Sequence, residues 1–347
     1  MRGGVDGRVK PDHDGIGIIG SSAIALVESH HLLDNTPPPL LRWKKQEPEE
    51  RSMAITIEQV GPGFAGRVTG VDARHPLDAE DVAAIERGMD RYAVLVFPGQ
   101  DIDDDQQVAF SEQFGTLEDT KGGNVTKREE ARLSPKLADV SNLDKDGKPF
   151  ARDDRRRMFN LGNQLWHSDS SFRATPAKYS ILSGRRVTMG EGNTEFADMR
   201  AAYDTLDDNT KAEIADLVCE HSLIHSRGTL GFTELSAEER AMFTPVRQTL
   251  VRTHPVTGRK SLFLSSHIGT IIGWPMPEAR AFIRDLVEHA THPDAIYVHH
   301  WQPHDLVMWD NRQTMHRVRR FDATKIRDMR RTTLRSDGPT YLQVAAE

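Results

Sequence analysis

The feature that most constrains the fold is a succession of short strand-like runs, separated by turns and interrupted by a few helices, with no strict βαβ alternation. Ile55 and Ile57 alternate with Thr56 and Glu58 ahead of the turn Gly61-Pro62-Gly63, and Gly66 to Val71 resumes the pattern. Ala93-Val94-Leu95-Val96-Phe97 is a continuous apolar run before Pro98-Gly99 and reads as a buried strand. Further strands are expected at Tyr179 to Ser183, Ala295 to His300, Asp305 to Asp310 and Asp328 to Arg335. Leu250 to His254 and Ser261 to Ser265 should form a hairpin about Pro255-Val256-Thr257-Gly258. Helical periodicity is confined to four places. Asp78 caps a helix with Val82, Ile85 and Met89 on one face, residues 103 to 114 form a second, and Asp198 opens a helical region that includes Asp207 to Cys219. Glu278 to His289 is the fourth. Such a pattern predicts a β-sandwich or jelly roll bearing helices.

The first 52 residues differ in character, mixing Gly, His and charged residues with Asn35-Thr36-Pro37-Pro38-Pro39. They are expected to be a disordered leader or a misplaced start, with a single folded domain over 53–347. Gly15-Ile16-Gly17-Ile18-Ile19-Gly20 matches G-x-G-x-x-G by letter, but no strand precedes it and no βαβ unit follows, so it does not imply a dinucleotide site. Residues 119–163 are polar and turn-rich and read as one long loop, either a lid or a solvated surface. A formal charge of −7 disfavours a nucleic-acid partner, although Arg152 to Arg157 and Arg317 to Arg335 leave room for an anionic ligand. No apolar run reaches the roughly 20 residues of a membrane span. Cys219, the single cysteine, excludes an internal disulfide and a Cys-based metal site, fits a reducing cytoplasm, and is expected as a small buried residue near a helix end.

The chemistry concentrates in Gln164-Leu165-Trp166-His167-Ser168-Asp169-Ser170-Ser171-Phe172-Arg173. On a strand end, His167 and Asp169 share a face and Ser168 turns away. One imidazole and one carboxylate need a second imidazole to complete the facial triad of non-haem Fe(II) sites. His316 is delivered by Asp305-Leu306-Val307-Met308-Trp309-Asp310-Asn311-Arg312, with His299 and His300 as competitors of which at most one could aim at the pocket. Arg327 and Arg331 follow His316 at offsets of eleven and fifteen, on one strand face, with Arg330 facing away. Guanidinium forks match carboxylates, so the pair points to a pocket for two acids. A basic surface strand is the alternative.

His167-Ser168-Asp169, Asn193-Thr194-Glu195-Phe196, Trp309-Asp310-Asn311-Arg312 with His316, and Arg327 with Arg331 resemble the 2-oxoglutarate-dependent dioxygenases of the taurine dioxygenase group. Leu165 to Phe172 and Asp198 to Asp204 make the chain most similar to the 2,4-dichlorophenoxyacetate dioxygenases within it, over about Met53 to Thr333. For the fold, the expectation becomes α+β with a double-stranded β-helix (jelly roll) core and inserted helices. The resemblance implies that His167, Asp169 and His316 hold Fe(II), that Arg327 and the Thr194 hydroxyl meet the distal carboxylate of 2-oxoglutarate, and that Arg331 meets the substrate's carboxylate. It implies O2 as second cosubstrate and hydroxylation of an aryloxyalkanoic or related aromatic acid, with succinate and CO2 as coproducts. Phenoxyacetates would fall apart to a phenol and glyoxylate. Ring contacts are expected from residues 119–163 and from near Leu223 to Phe232. A taurine or alkylsulfonate dioxygenase of the same group is the nearest alternative. A zinc hydrolase suits the same ligands but gives the two arginines no role, and a non-catalytic jelly roll holding an organic acid would show no oxygen-dependent turnover. No membrane partner is implied, and a homo-oligomer is compatible.

Overall fold

Alternation becomes strand wherever a second strand is available to pair, and the computed structural model, which describes residues 54–120 and 124–341, distributes these strands among four sheets. In chain order the strands are β1 (Thr56–Gln59), β2 (Gly66–Thr69), β3 (Val94–Phe97), β4 (Ala138–Asp139), β5 (Ala177–Arg186), β6 (Thr194–Asp198), β7 (Val218–His221) and β8 (Val246–Thr249). They continue as β9 (Val251–Thr253), β10 (Lys260–Leu262), β11 (Ile268–Ile271), β12 (Ile296–His299), β13 (Leu306–Asp310), β14 (Thr314–Val318) and β15 (Asp328–Arg335). The helices are α1 (Ala79–Tyr92), α2 (Asp104–Glu112), α3 (Arg155–Asn160), α4 (Met199–Asp204), α5 (Asp208–Ile214), α6 (Leu223–Gly228), α7 (Ala237–Met242) and α8 (Met276–Ala290). The expected leader lies outside the described residues.

A seven-stranded sheet runs β1-β2-β3-β13-β5-β15-β4, and β12-β6-β14 forms a three-stranded one. Every residue of β3 and β13 is buried, because both faces of the large sheet are covered. On one face Leu95, Phe97, Ile181 and Met308 pack with Ile85 and Met89 of α1 and Phe110 of α2. On the other, Val94, Val96, Leu182, Val307 and Trp309 pack with Phe196 of β6. Each such side chain taken out of water contributes about 1.5–3 kcal/mol before chain entropy is subtracted. The candidate site lies in this second interface, since β13 runs in the large sheet and, after the turn Asn311-Arg312-Gln313, β14 runs in the small one.

Asp78 caps α1 by accepting from Asp81 N–H, as its sequence position predicts, and the hairpin about Pro255 to Gly258 forms as β9 and β10. Two expectations need correction. The helix expected over Asp207 to Cys219 stops at Ile214, and Cys219 lies on β7, wholly buried, between β8 and β11. Two paired neighbours outweigh local helical periodicity there, and burial pushes the Cys219 thiol up to about 12. Residues 119–163 do not form one long loop. They contain β4 and α3 with 3₁₀ turns at Arg128–Glu130 and Leu161–Gln164, and Arg132 ties the segment to β15 through Asp139 and Asp328. Among the described residues no helix is long and apolar enough to cross a membrane.

Candidate metal centre

His167 and His316 face each other across an isolated antiparallel bridge, each N–H donating to the other's carbonyl at 3.0 and 2.8 Å. Directly opposed residues put their side chains on one face, so the two rings stand 4.2 Å apart. Asp169 follows in a turn, not on a strand as expected, yet its carboxylate still meets both rings. His167 Nε2 lies 3.8 Å from one oxygen and His316 Nε2 3.7 Å from the other. One donor atom from each residue falls within 4.8 Å of the others, and all three side chains are buried. His167 Nδ1 lies 2.8 Å from the Leu165 carbonyl, which only accepts, so the Nε2 lone pair is turned to the centre. Burial lowers the pKa of both rings, most strongly for His316, which keeps them neutral and able to ligate. Two neutral imidazoles and a carboxylate are a donor set that fits a ferrous ion.

Both carboxylate oxygens of Asp169 and its backbone N–H are held. Burial alone would raise its pKa, but Arg331 with His316 and His167 outweighs that and holds the carboxyl at about 2. Ser180 Oγ donates to Oδ2 at 2.7 Å, and Asn311 Nδ2 donates to Ser180 Oγ at 3.0 Å. Asn311 Oδ1 in turn accepts from the Asp169 backbone N–H at 3.0 Å and from Trp309 Nε1 at 3.1 Å. A closed circuit Asp169–Asn311–Ser180–Asp169 results. The next residue, Ser170, has φ of +53°, a left-handed conformation costly for a non-glycine, and its Oγ donates to buried Glu118 at 2.7 Å. Burial raises the Glu118 pKa.

Arg327 and Arg331 reach the same cavity of about 30 Å³, which Thr194, Asn163, His167 and His316 also line. Arg327 precedes β15 and is buried, and among the described residues its guanidinium donates to the Gly192 carbonyl, at 3.2 Å. Gly192 has φ of +62°, and a Cβ there would sit 3.0 Å from Arg327 Nε. Burial lowers the Arg327 pKa to about 10, the signature of a cation without a counter-charge. Thr194 Oγ1 accepts from Trp301 Nε1 at 2.9 Å, leaving its own hydroxyl proton for another acceptor. Arg331 Nη1 donates to Asp169 Oδ1 at 2.5 Å while its Nε is buried without a partner. Arg330 points the other way, to Asp104 and Asp328, as strand alternation requires. Val140, Asn163, Val318 and Arg327 also border a larger cavity of about 670 Å³.

His299 faces Asp305 at 3.1 Å, and His300 meets Asn193 at 3.0 Å, so neither competes for the centre. Sequence reasoning assigned no role to Ser180, Glu118 or Asn163. Asn311 stood inside a quoted motif, but nothing local revealed that its amide closes a circuit on Asp169.

A family profile described as "Taurine catabolism dioxygenase TauD, TfdA family" matches residues 56–333. The chain is 46% identical over 283 residues to an alpha-ketoglutarate-dependent 2,4-dichlorophenoxyacetate dioxygenase of Burkholderia sp. (strain RASC), covering 81% of this chain and 94% of that protein. It is 33% identical over 279 residues to an (S)-phenoxypropionate/alpha-ketoglutarate-dioxygenase of Delftia acidovorans, covering 77% and 90%. Among solved structures, AAD-2 in complex with Mn(II) and N-oxalylglycine is similar at 61% identity and a TM-score of 0.81, covering 83% of this chain and 100% of that one.

Proposed function

The chain belongs to the TauD, TfdA dioxygenase family, and from that premise we propose that it hydroxylates an aryloxyalkanoic or related aromatic carboxylic acid. It is a 2-oxoglutarate-dependent non-haem iron dioxygenase. When bound, ferrous iron and 2-oxoglutarate would activate O2, which is the oxidant: one atom of O2 ends in succinate, formed with CO2, and the other enters the substrate as a hydroxyl. In our reading His167, Asp169 and His316 hold the iron. Arg327 and the Thr194 hydroxyl receive the distal carboxylate of 2-oxoglutarate, and Arg331 meets the carboxylate of the primary substrate. Each charge-assisted contact contributes about 1.5–3 kcal/mol, enough to orient a ligand as well as retain it. The protein's own work is positioning and exclusion of water around groups that are already buried. A phenoxyacetate hydroxylated on the carbon beside its ether oxygen becomes a hemiacetal, which collapses to a phenol and glyoxylate.

The observation that supports this reading most is the convergence of two guanidinium groups and the two histidines of the His-Asp-His cluster on one small cavity. We also read the large sheet and β12-β6-β14 as the two halves of a double-stranded β-helix, with the metal ligands at the crossing between them. A cytoplasmic location belongs to the same reading. The test is succinate formation from 2-oxoglutarate with a panel of aryloxyacetates, arylpropionates, cinnamates and alkylsulfonates. Succinate should require Fe(II) and rise with an aromatic acid. Stimulation by alkylsulfonates alone would move the substrate to the taurine type, and no succinate with any member would overturn the assignment.

A further inference from the structure

Four arginines are buried among the described residues: Arg200, Arg227, Arg312 and Arg327. Two of them have a matched carboxylate, Arg200 with Asp198 at 2.9 Å and Arg312 with Asp310 at 2.7 Å. Arg327 lines the metal cavity and is accounted for above by a carboxylate that arrives with the cosubstrate. Arg227, on α6, has the same signature as Arg327 and no such account. It is 5% exposed, its Nε is buried without a partner, and its Nη1 has only the Ser226 hydroxyl, at 3.3 Å. Burial alone lowers its pKa to about 10. An uncompensated buried cation is costly, and a protein that twice supplies an aspartate two residues away has withheld one here.

The surroundings of Arg227 connect it to the metal centre. Its guanidinium lies 4.5 Å over the Phe159 ring and against the backbone of Gly162, where a Cβ would come within 2.1 Å of Nη1. Gly162 immediately precedes Asn163 of the metal cavity. On the other side Ser226 Oγ is 2.8 Å from His267 Nδ1, and the His267 ring stands 6.2 Å from His167 and 5.0 Å from Phe172. The Arg227 charge acts on both His167 and His267. Arg331 has one guanidinium nitrogen already committed to Asp169, which limits what it can offer a second anion.

We propose that Arg227 is a second receptor for the carboxylate of the aromatic acid substrate, on the α6 side of the metal centre, with Phe159 and Phe172 beside it as aromatic contacts. This assignment rests on the substrate reading given above. It adds a guanidinium to the donors that Arg331 keeps open, and it makes Gly162 a specificity element, since only a residue without a side chain lets the guanidinium lie where it does.

The test uses the full chain loaded with Mn(II) and N-oxalylglycine, which cannot turn over, and titrates 2,4-dichlorophenoxyacetate and its methyl ester by calorimetry. The wild type should prefer the acid. Arg227→Met should weaken the acid roughly 10- to 100-fold and the ester by less than about threefold, with N-oxalylglycine affinity changed no more than that of the ester. Gly162→Ala, which keeps the charge but displaces it, should shift the acid in the same direction, and Arg227→Lys should retain part of the preference. Should the methionine variant fail to fold, these two decide the matter. Equal losses for acid and ester, or no loss for either, would reduce Arg227 to a packing residue and overturn the assignment. If the wild type binds no aromatic acid and none stimulates succinate formation, the substrate reading falls and takes this assignment with it.

Discussion

Ser180→Ala removes one hydroxyl from a side chain with no exposed surface and therefore isolates a single contact of the Asp169 carboxylate, which we propose as a metal ligand. That hydroxyl donates to Asp169 Oδ2 at 2.7 Å and is the acceptor for Asn311 Nδ2. Its loss leaves the carboxylate short of one charge-assisted hydrogen bond, worth about 1.5–3 kcal/mol, and strands an amide N–H in the core. The carboxylate can then rotate, and the metal must hold it in place. Outer contacts of this kind change metal affinity about 10- to 100-fold, or about 1.4–2.8 kcal/mol. Mn(II) titration followed by the electron paramagnetic resonance of the free ion should show that weakening. Asn311→Ala breaks the same circuit elsewhere, so the double variant should be little worse than the poorer single one, where independent contacts would add. Mn(II) affinity within about twofold of the wild type for Ser180→Ala would refute the idea that the circuit orients Asp169.

Arg327→Ala should weaken 2-oxoglutarate or N-oxalylglycine about 10-fold or more, whereas Arg331→Ala should raise the substrate requirement and leave slow substrate-free 2-oxoglutarate decay; titrations giving the reverse would exchange the two roles. Arg132→Met should raise the pH of acid unfolding, measured by circular dichroism. Burial would raise the pKa of Asp328, but Arg132 and Arg330 outweigh it and hold the carboxyl below its ordinary range. Its contribution to stability is therefore complete above the unfolded pKa of about 3.9 and is lost as pH falls towards the lower folded value. Without Arg132 that loss begins at higher pH, and an unchanged acid midpoint would contradict the pairing.

Much of the strand plan was legible because period-two patterning is local. β15 occupies the stretch marked by its β-branched residues, and Arg330 and Arg331 face opposite ways as alternation demands. Where neighbours decide, the local pattern misled: the helix over Asp207 to Cys219 yields to β7 because β8 and β11 flank it. The segment 119–163 looked like loop because its elements are short, and their order comes from long-range pairs such as Arg132 with Asp328.

The sequence by itself determined which residue types were present to do chemistry, and the ordered motifs named a set of ligands and arginines. Only the tertiary structure decided how those groups stand to one another. A bridge between His167 and His316 brings two imidazoles to ring contact, an amide on a distant turn orients a carboxylate, and the Arg227 Nε is left inside without a hydrogen-bond partner. Residue chemistry is written along the chain, whereas burial, which neutralises histidines and leaves a cation uncompensated, depends on everything packed around a group, and no window of neighbouring letters carries that sum.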